Sequence, residues 1–301
     1  MLHFLGGEVF LHKDIIPIIL YCREKDMRIT VLSNLIALKD EQIPYIKEAN
    51  ISLLQTSLYS MDPNIHDTIT TISGSHKKTL SSIEKLVSAN IPVQISCPIM
   101  KANCKGYAEV LKYAQSIKCK VQTDFLMMAQ SDMDTKNLSN RISIEETEYL
   151  LKDIMEWDVN YKNGTLGQNP RSADYKIDPE RFSKQPMCGA GICDCCITAN
   201  GDLYPCAGWQ AMVCGNVYNK SLSDIWNNSP QLNAIRSITR KDFPQCIQCN
   251  AQDYCAMCLV RNFNESNGDM FHINPYFCEV AFLNKRIVEE YKEKLQKEAQ
   301  Q

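Results

Sequence analysis

The sequence predicts an α/β fold in two parts: a parallel-sheet domain with helices outside it, then a small cysteine-rich domain that ends in a helix. Three observations predict it. Strand-like and helix-like segments alternate over the first 130 residues with short connections, as a parallel sheet with outer helices requires. Cysteine is distributed unevenly, with 11 of the 15 between Cys188 and Cys278. Between these regions, 158–186 carry Gly, Asn, Pro and Ser and few apolar residues, which reads as a bridge. The expected domains are therefore 1–142, a bridging helix and linker over 143–186, and 187–301.

The elements follow in order. HFLGG reads as a strand end, and Asp14 to Glu24 as a helix with Ile15, Ile18, Ile19 and Cys22 on one face. RITVLSN (28–34) is a strand that ends in Ser33-Asn34, and Glu41 to Ala49 is a helix. Residues 51–60 are a buried strand, 76–90 an amphipathic helix with Leu80, Ile83 and Leu86 in one stripe, and 91–100 a strand. A helix over 106–117 and a strand over 120–128 complete the first domain, followed by a polar loop. Ser143 and Glu146 have capping-box spacing, so a helix to about Glu156 follows. Val280 to Ala299 reads as the last helix.

Composition narrows the function. Lys+Arg 32 against Asp+Glu 35 gives a net charge of −3, with no basic excess to grip a phosphate backbone, so no nucleic-acid partner is expected. No apolar run approaches the roughly 18 residues needed to span a bilayer, and no basic-then-apolar leader opens the chain. A cytoplasmic location without a membrane partner is the expectation. Clustered thiols in that compartment point to metal or redox chemistry rather than disulfides.

Two cysteine blocks carry most of the signal. The first runs CGAGICDCCITANGDLYPC from Cys188 to Cys206, and the second is Cys246-x2-Cys249-x5-Cys255-x2-Cys258, with Cys278 beyond it. A CxxC turn brings two thiolates to one metal ion or to adjacent irons of a cluster, so zinc and iron–sulfur readings both apply. Two CxxC pairs alone would suit a zinc ribbon. With Cys188, Cys206 and Cys278 added, and Cys193, Cys195, Cys196 and Cys214 besides, the thiols suffice for two four-sulfur sites.

This pattern, with NGDLYPC, CGNVYNKSLSDIW and Asn267-Gly268-Asp269 around it, resembles the SPASM domain of radical S-adenosylmethionine (SAM) enzymes over about Met187 to Ala281. One departure is the gap before the last Cys of the second block, two residues here and three in the family. The resemblance implies two auxiliary [4Fe–4S] clusters. One would use Cys188, Cys206, Cys258 and one of Cys193, Cys195 and Cys196, with Cys193 favoured; the other would use Cys246, Cys249, Cys255 and Cys278. Cys214 reads as a small buried residue.

The opening LHFLGGEVFLHKD resembles the strand-end motif of the radical SAM barrel. There Gly6 and Gly7 would let the backbone approach SAM, and Glu8 would face the ammonium of its methionine moiety. Ser33-Asn34 matches the polar strand end that follows in the family, and 56–80 matches the next strand and its loop. Asn34 and Ser57 are candidate SAM contacts, and Asn103 and Met127 stand at later strand ends; ordinary turn or core packing is the competing reading for each. Family members also carry a CxxxCxxC loop, whose [4Fe–4S] cluster reduces SAM to a hydrogen-abstracting 5′-deoxyadenosyl radical. No such loop lies in residues 1–130, so the resemblance implies a partial barrel without its first strand and helix. The expected chain is a truncated enzyme needing an upstream cluster-binding segment, or a shortened homologue without catalysis.

The stretch VQISCPIMKANCKGYAEVLKYAQ, with the later LMMAQSD, looks most like the peptide maturases of this family. Sulfatase-maturing members carry Asp after the Cys of YPC, where this chain has Ala207. The implied function is formation of a thioether or other crosslink in a ribosomal peptide, with a peptide or protein substrate and a possible reductant protein as partners. A non-catalytic iron–sulfur scaffold for peptide binding or electron transfer, and a zinc-ribbon binding module, are the alternatives.

Overall fold

A computed structural model describes residues 1–157, 162 and 179–300, and the chain divides into two units, 1–125 and 126–301.

The first unit is built on five parallel strands in the order β1 (Leu2–Phe4), β2 (Ile29–Leu32), β3 (Leu53–Ser57), β4 (Val93–Pro98) and β5 (Lys120–Asp124). Helices α1 (Ile15–Glu24), α2 (Ile43–Glu48), α3 (Pro63–Thr70), α4 (Ser75–Ser88) and α5 (Tyr107–Ser116) fill the connections. The α/β expectation thus holds. In a sheet ordered by sequence, right-handed crossovers put the connecting helices on one face. That face carries the core. Val31, Leu54, Ile95 and Cys97 are buried in adjoining strands, and Ile83 and Leu86 of α4 are fully buried as well. Each such aliphatic side chain contributes about 1.5–3 kcal/mol.

The opposite face is polar. The register sets Gln55 beside Gln94 and Lys120, Ser57 beside Ser96 and Gln122, and Pro98 beside Asp124. On β5, Lys120, Gln122 and Asp124 are exposed, and charge on an edge strand discourages pairing with another chain. α3 lies where the sequence reads as a loop. Asp62 caps it, accepting from the Asn64 amide at 2.8 Å, and Pro63 occupies its first turn.

In the second unit, α6 (Ile144–Trp157) starts at the expected capping box. The Glu146 amide donates to Ser143 Oγ at 3.1 Å and the Ser143 amide to Glu146 Oε2 at 2.7 Å. The linker reading for 158–186 falls mostly outside the described residues; in its described part, Pro179–Ser183 forms α7. A three-stranded antiparallel sheet follows, in the order β6 (Cys196–Ile197), β7 (Asp202–Tyr204), β8 (Gly215–Asn216). Next come α8 (Leu222–Asn228), α9 (Pro230–Ser237), α10 (Pro244–Ile247), α11 (Leu259–Glu265) and α12 (Pro275–Ala299). The last helix begins five residues before Val280, because Asn274 caps it and Pro275 fits its first turn.

Residues 126–142 pack in this second unit, whereas the sequence pattern groups them with the first domain. Arg141 forms a buried ion pair with Glu265 of α11 and donates to the Met127 carbonyl at 2.9 Å. Its guanidinium lies 4.5 Å from the Tyr276 ring centroid. Glu265 also accepts from Asn274 Nδ2 and from the Ala129 amide.

Candidate functional site

At the end of β1, Gly6 and Gly7 have φ of +88° and +50°, the left-handed region in which a side chain is strained. A Cβ on either glycine would meet nothing within 4 Å, so the space above this backbone is open to a ligand. Glu8 follows and is braced. Ser33 Oγ donates to its Oε1 at 2.6 Å, the Asn34 amide to its Oε2 at 2.9 Å and the Phe10 amide to Oε1 at 3.1 Å. The carboxylate therefore ties the end of β1 to the end of β2 and keeps acceptor capacity on Oε2. Asn34 Oδ1 is occupied by the Ile36 amide at 2.9 Å. Ser57 closes β3 on the polar face, in register with Ser96.

Asn103 is different. It is buried, its Nδ2 donates to the Tyr59 and Pro98 carbonyls at 2.8 and 2.9 Å, and its Oδ1 accepts from the Met100 amide at 2.8 Å. With one donor spent on the loop after β3 and the other on the end of β4, it clamps these two segments together. Met127 offers its carbonyl to Arg141.

The cysteines of the second unit sort into two sets by the charges they feel. Burial holds the Cys188 thiol above its ordinary range, and Cys258, Cys206 and Asp194 raise it further. Cys206 is raised by burial and then by Asp194, Cys258 and Cys196. In the other set, Cys246 is pushed up to about 11 by burial, with Cys255, Cys278 and Cys249 adding to it. Burial also raises Cys255 and Cys278, each of which feels Cys249. Cys246, Cys249, Cys255 and Cys278 line one cavity of about 830 Å³, counting the space at its mouth, together with Met257, Arg240 and Phe282.

Both sets fit a metal cluster by the chemistry of their donors. Thiols that disfavour each other's ionisation lose that penalty when a cation neutralises them. Among the described residues no three His, Cys, Asp or Glu side chains stand close enough to hold an ion as they lie, since such ligands draw together around their metal. Backbone amides already face the sulfurs. The Ala190 amide donates to Cys188 Sγ and the Ala251 amide to Cys249 Sγ, each at 3.4 Å, and the Gly208 and Met257 amides lower the pKa of Cys206 and Cys255. In every case the donor is two residues beyond the cysteine, and hydrogen bonds to sulfur tune a cluster's potential. Cys193 is exposed, with Sγ directed at the Gly189 carbonyl at 3.5 Å. Cys214 is buried in a small apolar cluster with Leu203, Ile225 and Leu232.

Two stretches of the chain match known families. Residues 1–114 match the Radical SAM superfamily and 188–250 match SPASM, an iron–sulfur cluster-binding domain. The AdoMet-dependent heme synthase of Nitratidesulfovibrio vulgaris is 22% identical over 89% of this chain and 76% of its own length. The PqqA peptide cyclase of Granulibacter bethesdensis is 21% identical over 84% of this chain and 67% of its own. The structure of anSMEcpe with bound AdoMet superposes with a TM-score of 0.73 at 14% identity, over 97% of this chain and 80% of that one. Streptococcus suis SuiB bound to the precursor peptide SuiA gives a TM-score of 0.65 at 18% identity, over 88% of this chain and 62% of SuiB. At these identities the structural likenesses carry the fold alone. No helix among the described residues is long and apolar enough to cross a membrane. Over residues 1–114 the chain is thus a member of the radical SAM superfamily, and over 188–250 it carries a SPASM iron–sulfur cluster-binding domain.

Proposed function

We propose that the protein takes part in modifying a ribosomally made peptide, forming a thioether or another crosslink. The observation that carries the reading is the pairing of a strand-end site open above Gly6 and Gly7 with two separate cysteine sets. Gly6, Gly7, Glu8, Asn34 and Ser57 would hold SAM, with Glu8 fixing the two strand ends against which the methionine moiety lies. Cys246, Cys249, Cys255 and Cys278 would hold one [4Fe–4S] cluster, and Cys188, Cys206 and Cys258 another with one of Cys193, Cys195 and Cys196, Cys193 favoured. When bound, SAM and a reducing cluster supply a 5′-deoxyadenosyl radical for hydrogen abstraction, and the auxiliary clusters supply a place for the electron left after bond formation. The polar row Gln55, Ser57, Gln94 and Ser96 offers hydrogen bonds suited to a peptide backbone.

No CxxxCxxC occurs in the 301 residues, so this reading includes a cluster-binding segment supplied upstream. The test is anaerobic reconstitution with iron and sulfide, then SAM, dithionite and the precursor peptide encoded beside the gene. The chain as written is expected to release no 5′-deoxyadenosine. Supplied with the upstream segment, it is expected to release it and to remove two hydrogens from the peptide per crosslink, with a reductant protein able to replace dithionite. Iron and sulfide without peptide modification would favour the scaffold, and zinc without sulfide the ribbon.

A second reading has one observation in its favour: the heme synthase relative aligns over a larger share of both chains than the peptide cyclase does. Binding of a porphyrin, followed by its Soret absorbance, together with no change in the peptide, would select it.

A further inference from the structure

We propose that Arg240 and Arg261 raise the potential of the cluster held by Cys246, Cys249, Cys255 and Cys278, so that this cluster takes up an electron more readily. The proposal rests on the reading that these four cysteines hold an iron–sulfur cluster. Neither arginine is a ligand. Each acts through its charge on a group that four thiolates make anionic, and net charge is one of the terms that set a cluster's potential.

Arg240 lines the cavity that the four cysteines share. Its guanidinium lies 4.4 Å from the ring centroid of Phe182, which lines the same cavity. The backbone is fixed as well. The Arg240 amide donates to the Gln185 carbonyl at 3.0 Å, and Thr239 bridges to Pro186. Asp242, two residues on, spends its Oδ2 on the Thr239 amide and hydroxyl, at 2.8 and 3.2 Å.

Arg261 reaches the same cysteines through their neighbours in the chain. Its Nη1 donates to the carbonyl of Ala256, the residue after Cys255, at 2.9 Å. Its guanidinium lies 4.9 Å from the ring centroid of Phe277, the residue before Cys278. One side chain thus touches the neighbours of two ligands that are distant in sequence. Its Nε is buried and makes no hydrogen bond among the described residues. A buried, charged N–H without an acceptor is costly, and an anionic cluster beside it offsets that cost. Both arginines are partly buried, so solvent and salt screen them less than surface charges. Asp253 lines the cavity with the opposite sign but is exposed. The reduced cluster carries one more negative charge than the oxidised one, so a fixed cation nearby favours the reduced form.

The test uses the full chain, reconstituted anaerobically with iron and sulfide, and compares wild type with Arg240→Gln, Arg240→Lys, Arg261→Gln and Arg261→Lys. The readouts are iron and sulfide content and the midpoint potential of each cluster, followed by EPR. Cys255→Ala identifies which EPR signal belongs to the cluster in question. Each glutamine variant is expected to keep its iron and to shift that cluster's reduction equilibrium at least tenfold toward the oxidised form, a fall of about 59 mV or more for one electron. Each lysine variant, which keeps the charge, should stay closer to wild type, and the other cluster should move less. An unchanged potential in a glutamine variant overturns the assignment for that arginine, as does a lysine variant that falls as far as its glutamine counterpart. Loss of the cluster's iron in a glutamine variant makes that arginine structural and overturns its assignment too, and an equal shift in both clusters overturns the proposal. A wild-type chain that takes up no iron and sulfide sinks the cluster reading and the assignment with it, whereas wild-type clusters indifferent to both arginines sink the assignment alone.

Discussion

The two candidate sites are held in opposite ways. At the end of β1, the chain satisfies its own polar groups: Glu8 is met by Ser33, Asn34 and Phe10, and the glycines need nothing but their conformational freedom. In the cysteine-rich unit, like groups are crowded beside one another, and each raises its neighbours' pKa. The first site has its shape before any ligand arrives, which lowers the entropic cost of binding. The second is expected to take its final shape with metal, so that binding and folding would be one equilibrium there. One chain thus contains a preorganised site and a contingent one.

The contrast can be broken most directly at the thiols. Cys255→Ala is expected to abolish one cluster, about four irons, and to lower the unfolding midpoint of the second unit. All three tryptophans, Trp157, Trp209 and Trp226, lie in that unit, so tryptophan fluorescence follows it separately from far-UV circular dichroism. An unmoved fluorescence transition would contradict metal-coupled folding. Next in size is Arg141→Met, which leaves Glu265 buried without its counter-charge. A loss of about 3–5 kcal/mol in denaturant titrations is expected, confined to the tryptophan-reported transition.

A pH series sharpens the other side. His66 on α3 is buried, accepts the Tyr59 amide on Nδ1 at 3.3 Å and faces His76 and Asp67. Burial, reinforced by His76 and opposed by Asp67, lowers its pKa from 6.5 to about 4. As pH falls, the unfolded chain takes up this proton first. Stability of the first unit is therefore full above pH 6.5 and lost toward pH 4, by up to about 3 kcal/mol. Circular-dichroism melts at pH 7 and pH 5 check this, and His66→Gln should flatten the difference. The smallest effect is expected at Gly7→Ala. It pays only for the left-handed backbone, about 1–2 kcal/mol, because the new methyl meets nothing. Calorimetric titration with SAM should show weaker binding, and unchanged affinity would argue against a close approach at this turn.

Much of this arrangement is legible in the sequence, and what is not has identifiable causes. The strands around Val31, Leu54 and Ile95 announce themselves by apolar runs, and Ser143 with Glu146 marks α6 through a bond pattern of fixed spacing. α3 escapes because it is only eight residues long, too short for a helical stripe to repeat, although Asp62-Pro63 is a start signal that could have found it. Asn274-Pro275 is the same signal ahead of α12. The Arg141–Glu265 pair spans 124 residues, and no local pattern encodes a contact at that distance. Within the sites, cysteine spacing identifies the metal chemistry. The direction of each side chain between Cys193 and Cys196 depends on how Gly191 folds the backbone, and spacing is silent about that.

The amides that face the sulfurs have a consequence for how such a domain can drift over generations. At positions 190, 208, 251 and 257 the contact comes from the peptide group, so the hydrogen bond itself depends on no particular side chain. Only proline erases it outright, because proline has no amide hydrogen to give. The electronic setting of the thiols is thus insulated from most single substitutions and sensitive to one, which would let the surrounding sequence diverge widely while the redox character persists.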